Sequence, residues 1–593
     1  MDAFFSLISA FPYIDIPKNI EGWVWLCILF GLQAGLFWNL RGLNKALDQQ
    51  ERIILIGLTL LIPLTSLLIG LRIRTEAGLS MPEIPRASTG ISIVIFSAVP
   101  WMLAGGLLGP GYAMALAFLS GVLRTLWDTH SPFTPFEIAI LAGLFSYAVN
   151  QRYRTVIFKW LRRPIVAALI LSLLYPIAFL INSNFLARGA LVSRLDYALT
   201  HLAGSGLAMA IELLLAGAFC EVIAATFQAN WGSRGLLLPS PAEKSLQARL
   251  LSILGPFAVI MVLVLIAGDW LVAGNAARGM IRSRLATISN TTAESVPYFL
   301  DAGQNLILQL ASDPQLNLND PARLPEILSV KIKTVPYFQQ FFVLDLKGKM
   351  LASYPEKRYE PAPLVEQMAF QLAVSGVPVQ SYAIEPEEES GSAQISFIAP
   401  VMGNNSVRGV LIGRSDISMN PIIEPVLNTL DSLAEEGGQG LILDETGKIL
   451  YHQDPSLIMR QYTGKTSELP SFFDDTAPDG TRQLVYYQRA LGRPWSVVLI
   501  VPAVNAQGLA LRFALPLLVI IAALSLITIG LLKVGLGTVT GSLRTLAKEA
   551  DLISQGQLSH ALPSQGDDEV GHLRRSFERM RISLKARLDE LNR

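Results

Sequence analysis

Residues 440–450 read Gly440-Leu441-Ile442-Leu443-Asp444-Glu445-Thr446-Gly447-Lys448-Ile449-Leu450. An apolar strand runs into an aspartate, a glycine follows within the turn, and a second strand leaves it. The same order stands earlier in the chain, where Phe342-Val343-Leu344-Asp345 leads to Gly348 and on to Ser353. One such hairpin is common in any β-containing protein, whereas its repetition predicts two lobes of like construction. Around the repeat, Phe341–Leu346, Ile395–Val401, Arg408–Ile412, Gly440–Leu443, Lys448–His452, Gln483–Gln488 and Trp495–Val501 are short, apolar or alternating, and bounded by turn residues, which predicts strands. Ahead of them Ile281, Leu285, Ile288, Val296 and Phe299 recur at helical steps or their multiples. Helix first and antiparallel sheet afterwards predicts an α+β region of about 235 residues, enough for two lobes.

This region lies between apolar runs long enough to cross a bilayer. Of the 593 residues, 51% are hydrophobic and 16% charged, against roughly 25% charged in a soluble domain. Spans are expected near 22–39, 53–71, 91–108, 110–127, 136–150, 164–182, 203–227, 250–273 and 512–534. The basic loop with Arg152, Arg154, Lys159, Arg162 and Arg163 fixes the inner side. Counting from it puts the N-terminus and the α+β region outside and the C-terminus inside. The Gly-rich stretch around 105–111 is where the count is open to change by one. Residues 1–21 lack the basic start and cleavage site of a secretory signal, so no leader is expected to be removed. The expected organisation is a polytopic bundle of about seven helices in 1–249, a span at 250–273, an external domain at 274–511, a span at 512–534, and an inner segment at 535–593.

In that inner segment Val539, Leu543, Leu546, Ala550 and Ile553 follow coiled-coil spacing, and Gly556 ends the helix. A second helix starts at Asp567-Asp568-Glu569, carboxylates suited to a helix N-terminus. Its seam is Val570, Leu573, Phe577, Met580, Leu584, Leu588 and Leu591, with a stutter at Leu588 that locally unwinds a coiled coil.

These two helices, the Gly556-Gln557-Leu558 turn and Asp568-Glu569-Val570-Gly571 resemble a HAMP domain, the signal-converting linker of bacterial receptors; Ser542 stands where that family commonly has a proline. The repeated hairpins, with Ile398-Ala399-Pro400-Val401, Gly409-Val410-Leu411-Ile412 and the closing strands Tyr486–Arg489 and Trp495–Val501, resemble a double Cache sensor of two PAS-like lobes. Around 86–150, the residues Arg86, Gly105-Gly106, Gly109-Pro110-Gly111, Gly121, Arg124 and Gly143 resemble part of a LytS-type five-helix membrane sensor, although small residues also serve plain helix packing. The resemblances imply a multidomain membrane protein: an all-α polytopic helix bundle, an α+β PAS-like double Cache domain and an α-helical HAMP coiled coil. Amino-acid receptors of the Cache family carry an Arg with aromatics in the distal-lobe helix, a later Tyr, and an Asp after the closing strand. Tyr382 and Asp416 match the last two as ligand-binding candidates, but the helix reads Met368-Ala369-Phe370-Gln371, which removes the two-point carboxylate anchor.

No phosphate loop, paired-histidine metal motif or nucleophile elbow occurs, and the histidines at 130, 201, 452, 560 and 572 are scattered. No cofactor or metal is expected. Cys27 and Cys220 sit in apolar runs, which leaves no disulfide framework. Forty-seven basic residues balance 47 acidic ones, so no nucleic-acid footprint exists. Charges inside spans are costly, about 2.5–3.5 kcal/mol each on the mildest scale. Arg124 and Glu212 are therefore membrane functional candidates, Glu212 mid-span and Arg124 beside Trp127 and Asp128 near the outer interface. Glu221 lies nearer the inner surface.

The expected function is a bacterial inner-membrane receptor that takes a small-molecule ligand outside and passes the signal as a homodimer. Leu543, Leu546, Glu569, Leu573 and Met580 would relay it to a cytoplasmic output domain or response regulator, with any enzymatic output expected beyond residue 593. A transporter with an appended external domain is the alternative, though no inverted repeat or matched pair of broken helices is legible.

Overall fold

A computed structural model of the chain describes residues 12–591, apart from 45–46, 69–70, 73–91, 188, 229, 233–235, 317, 319, 357–363, 387–391, 404–405, 479, 556, 559–560 and 562–568. Arg86, Gly556 and Asp567-Asp568 lie outside the described residues, as do the side chains of Val539, Leu588 and Leu591.

Helices α1 (Ile20–Leu40), α2 (Gln49–Pro63), α3 (Val99–Leu107), α4 (Pro110–Arg124), α5 (Thr134–Asn150), α6 (Pro164–Leu186) and α7 (Leu191–Thr226) come first. From α2 to α7 they share one apolar core that contains Ile62, Met102, Leu116, Phe145, Leu171 and Leu213. Six helical stretches among the described residues are long and apolar enough to cross a membrane: Ile20–Leu43, Gln49–Leu68, Pro164–Leu186, Leu191–Thr226, Leu246–Ala311 and Ala503–Ser554.

The stretch 91–108 departs from the expected single helix. Ser92 and Ile93 form a short ladder with Arg72 and Leu71, Phe96 is left-handed at φ 69°, and the helix begins only at Val99. Pro100 supplies the reason. It is tolerated in a first helical turn, but deeper in a longer helix it would remove a hydrogen bond and clash with the preceding turn. With nine residues, α3 is about 13 Å long, under half of a hydrocarbon core of about 30 Å. Gly109, at φ 117°, turns the chain from α3 into α4. At Gly121 a Cβ would lie 2.5 Å from Cα of Pro135, so the close approach of α4 and α5 requires glycine.

Helix α8 (Leu246–Ala311) runs for 66 residues without interruption. Its first part is the apolar stretch near 250–273, and its last part buries Leu285, Val296, Phe299 and Ile307 in the core of the following domain. That domain contains α9 (Leu324–Thr334), β1 (Gln340–Asp345), β2 (Met350–Tyr354), α10 (Leu364–Val374), β3 (Gln380–Ile384), β4 (Gln394–Gly403), β5 (Ser406–Asp416) and α11 (Glu424–Asp431). It continues with β6 (Gln439–Leu443), β7 (Ile449–Tyr451), β8 (Ser471–Thr476), β9 (Arg482–Arg489) and β10 (Ser496–Pro502). Two five-stranded sheets result, in order β2-β1-β5-β4-β3 and β7-β6-β10-β9-β8. Every pairing in them is antiparallel. Counted from its own first strand, each lobe has the same topology, as the repeated hairpin predicts.

The repeated turns also match in detail. Asp345 Oδ1 accepts from the Lys347 and Lys349 amides, and Asp444 Oδ1 from the Thr446 and Lys448 amides, all at 2.8 Å. Gly348 and Gly447 are both left-handed, at φ 81° and 82°. Strand β10 leads directly into α12 (Ala503–Ser554), a single helix of 52 residues, and α13 (Glu569–Leu591) follows it.

Candidate ligand site and signal path

Pairing across the first sheet sets Tyr382 on β3 opposite Ser396 on β4, Ser396 opposite Arg414 on β5, and Arg414 opposite Gln340 on β1. Directly opposed residues share a face, so these four polar side chains form one row. Helix α10 packs over this face, with Ala369 and Ala373 against Phe342, Ile398 and Ile412. From α10, the fully buried Glu366 accepts from Ser396 Oγ at 2.8 Å and from Arg414 Nη2 at 3.2 Å. The Arg414 guanidinium also lies 4.9 Å from the centre of the Phe342 ring, a cation–π arrangement. Acceptor, donor and aromatic face thus converge in a largely apolar half-lobe, which suits a small ligand with both a donor and an acceptor end.

Tyr382 belongs to this row and lies within β3, the strand that precedes β4. Burial, with the Glu445 carboxylate nearby, holds its phenol above the ordinary value, so it is a hydrogen-bond donor at neutral pH. Asp416 is the last residue of β5, in the next row of the same face opposite Gln394. Its Oδ1 accepts from Ser392 Oγ at 2.6 Å, Ser418 N at 2.8 Å and Ser418 Oγ at 2.7 Å. These bonds hold the end of the strand to the segment before β4. Sequence reasoning missed Glu366 and Arg414. The available signal was alternation, since Arg414 and Asp416 are two apart on a strand whose other inward residues are apolar.

In the N-terminal bundle the two expected charges meet. Arg124 Nη1 donates to Glu212 Oε2 at 2.7 Å, and the residues are 5% and 1% exposed. Arg124 is therefore drawn inward, toward Glu212 and Asp128, which lies 3.2 Å from its Nη2. Glu212 also accepts from the Val94 amide at 2.8 Å and Ser97 Oγ at 3.0 Å, while Ser92 donates to Asp128. The carboxylates thus satisfy the non-helical segment above α3, whose backbone groups would otherwise be buried without partners. Sequence reasoning passed over Glu137 on α5, whose Oε1 is buried without a hydrogen-bond partner among the described residues.

Along the expected relay, Leu546 is buried and Leu543 half-buried. Glu569 is exposed in the first turn of α13, where a carboxylate complements the helix dipole. Leu573, Met580 and Leu584 are 42%, 52% and 42% exposed, so this seam lies open in the single chain.

Where the second lobe meets α8, Asp474 bridges two arginines. Arg482 Nε donates to its Oδ2 at 3.0 Å, and Arg278 of α8 binds it as well. Burial pushes the carboxyl up, but the hydrogen bonds and charges of Arg482 and Arg278 outweigh it and hold Asp474 below the usual carboxylate range.

Comparison with known proteins agrees with this organisation. A Cache domain family model matches residues 273–510, and a HAMP domain family model matches residues 536–586. A search of curated proteins finds no match. Among solved structures, the ligand-binding domain of the Pseudomonas aeruginosa amino acid chemoreceptor PctC in complex with GABA is 20% identical, over 37% of this chain and 99% of that one, with a TM-score of 0.30. The ligand-binding domain of the Pseudomonas fluorescens chemoreceptor CtaA in complex with L-isoleucine is 22% identical over 40% and 97%, TM-score 0.31. The sensor domain of the V. cholerae histidine kinase DctB is 12% identical over 38% and 98%, TM-score 0.29. Residues 273–510 are a Cache domain and residues 536–586 a HAMP domain, joined through the one helix that leaves β10 and runs to Ser554.

Proposed function

We propose that the chain is the sensing and transmission part of a bacterial transmembrane receptor, multi-pass in the inner membrane, with the Cache domain outside and the HAMP domain inside. Seven crossings lie in 1–249, with α3 and the segment before it together making the third, and two more lie at 250–273 and 512–534. The observation that carries this reading is the continuity of α8 and α12. At 1.5 Å per residue α8 is about 100 Å long and α12 about 80 Å. One reaches from the membrane into the core of the distal lobe, and the other leaves the proximal lobe for the HAMP seam, each as one continuous helix.

The ligand is a small polar molecule held by Arg414, Glu366, Ser396 and Tyr382 in the distal lobe, with Asp416 supporting the strand that carries Arg414. An incoming carboxylate competes with Glu366 for the guanidinium, which loosens α10 from the sheet. To signal, the ligand must bind two arrangements of α8 and α12 with different affinity. The open seam of Leu573, Met580 and Leu584 supports closure by a second copy, and hence a parallel homodimer that drives a cytoplasmic output domain or response regulator. Arg124 and Glu212 hold the membrane bundle together and make it a second input.

Cysteine cross-linking at Leu543 in the full chain, reconstituted in lipid nanodiscs and screened with small polar metabolites by thermal shift, tests this reading. Symmetric dimers are expected, with a ligand at 100 times its Kd adding about 2.7 kcal/mol. A strict monomer in lipid would overturn it.

A further inference from the structure

The outer end of α7 reaches beyond the bundle. Asp196, a little over one turn into that helix, is almost fully buried. Its Oδ1 accepts from Arg482 Nη1 at 3.1 Å and from Gln507 Nε2 at 3.1 Å, and Thr200 Oγ1 accepts from Arg482 Nη1 at 3.3 Å. Arg482 belongs to β9 of the proximal lobe and Gln507 to α12. The same guanidinium binds Asp474 on β8, which in turn takes Arg278 of α8. One ionic cluster therefore joins the N-terminal bundle, the proximal lobe and both long helices. Beside it, a Cβ placed on Gly508 of α12 would lie 3.8 Å from Val192 Cγ1 of α7. A cavity of about 190 Å³, lined by Trp270, Arg278, Arg482 and Gln507, leaves α8 and α12 room to shift against each other at this level. Farther along, α7 carries Glu212, which pins the broken third crossing. A single helix thus connects the interior of the bundle to the base of the sensor.

We propose that the outer end of α7 is a docking surface for the membrane-proximal Cache lobe, and that through Asp196 and Arg482 the bundle sets the resting position of α12 against α8. Two elements then act on the HAMP helices: the ligand from the distal lobe, and the bundle from the side. A buried carboxylate that receives two donors from separate elements is a defined contact, and its removal leaves Arg482, among the described residues, with Asp474 as its one carboxylate partner and only the Thr200 hydroxyl on α7. This rests on the receptor reading, and the test reports on the two separately.

The full chain in nanodiscs, with Cys27 and Cys220 replaced by alanine, is given V192C/G508C in one series and L543C in another. Disulfide formation in V192C/G508C reports docking, and dimer cross-linking of L543C without ligand reports HAMP packing. Asp196→Asn keeps the acceptor but removes its charge, and is expected to slow the first about tenfold, the shift that turning a charged hydrogen bond into a neutral one brings, and to change the second by about threefold or more. Asp196→Glu should restore both in part. Arg194→Gln, on the same helix but bonded to Glu21 within the bundle, should change neither. Unchanged V192C/G508C cross-linking in Asp196→Asn overturns the docking surface. Slowed docking with unchanged L543C cross-linking overturns its control of α12. Absence of L543C dimers in every variant removes the homodimer instead, while V192C/G508C still decides the docking.

Discussion

The two Cache lobes share one topology and one turn, yet they place opposite chemistry on the equivalent row of the sheet. In the distal lobe the row is Tyr382, Ser396, Arg414 and Gln340. Counting from the matched turn aspartates, the proximal row is Phe473, Val485, Ile500 and Gln439. Three polar positions have become apolar, and the face packs as an ordinary core with Leu441, Leu443 and Tyr487. The proximal lobe keeps charges elsewhere, in Asp474 and Arg482 beside α8 and α7. One scaffold thus occurs twice with different chemistry, a buried polar row in the distal copy and ionic contacts to α8 and α7 in the proximal one.

The comparison breaks most sharply at the Glu366–Arg414 pair. Replacing Arg414 by methionine leaves the Glu366 carboxylate buried without its cation, which typically costs about 3–5 kcal/mol. Chemical denaturation should therefore show a large loss for Arg414→Met alone. Changing both to the proximal pattern, Glu366→Leu with Arg414→Met, should recover most of that stability, because a well-packed apolar pair can replace a buried ion pair at little net cost. Ligand-induced thermal shift should be absent in the double variant. A double variant as unstable as the single one would show that the row is needed for folding, and the contrast between lobes would lose its functional meaning.

What was legible in the sequence follows the range of the interactions. The hairpin turns are local, with Asp, Gly and both strands inside about a dozen residues, so their repetition disclosed both lobes. The HAMP helices were legible for the same reason, since their seam is periodic. Strands β3 and β8 left no signal because each is an edge strand that, unlike β2 and β7, does not follow the Asp-Gly turn. Edge strands are short and open on one side, which permits polar runs such as Ser471–Thr476. The Arg414–Glu366 pair joins residues 48 apart and Arg124–Glu212 joins residues 88 apart, distances over which spacing carries no information. Pro100 was readable, yet the form of the segment before α3 emerges only once Glu212 is seen to bind the Val94 amide.

A smaller effect distinguishes the lobes by pH. Asp474 titrates below its unfolded value, so its contribution is present above the ordinary carboxylate range and is lost as pH falls through the folded value. Below about pH 4 Asp474 should release Arg278 and Arg482, and β8 should loosen from α8 and β9. Hydrogen exchange on β8 and β9 should rise there in the native chain and be raised already at neutral pH in Asp474→Asn. An acid response confined to β1–β5 would count against the proximal cluster.

The turns provide the finest discrimination, because the two copies differ by one hydrogen bond. Asp444 accepts from two amides and from Thr446 Oγ1, whereas Asp345 accepts from its two amides, with Lys347 at the position of Thr446. Each bond contributes about 1 kcal/mol, and amides left unpaired in a buried turn cost more than those open to water. Asp444 is buried and Asp345 half-buried, so Asp444→Ala should destabilise the domain more than Asp345→Ala, by about 1 kcal/mol. The proximal turn lies beside β10, which continues into α12, so its loss should also raise the spontaneous rate of L543C dimer cross-linking. Equal losses from the two substitutions would mean that the duplicated turn is a folding element alone. A larger loss at Asp444 with altered cross-linking would tie it to the lobe that holds the signalling helix.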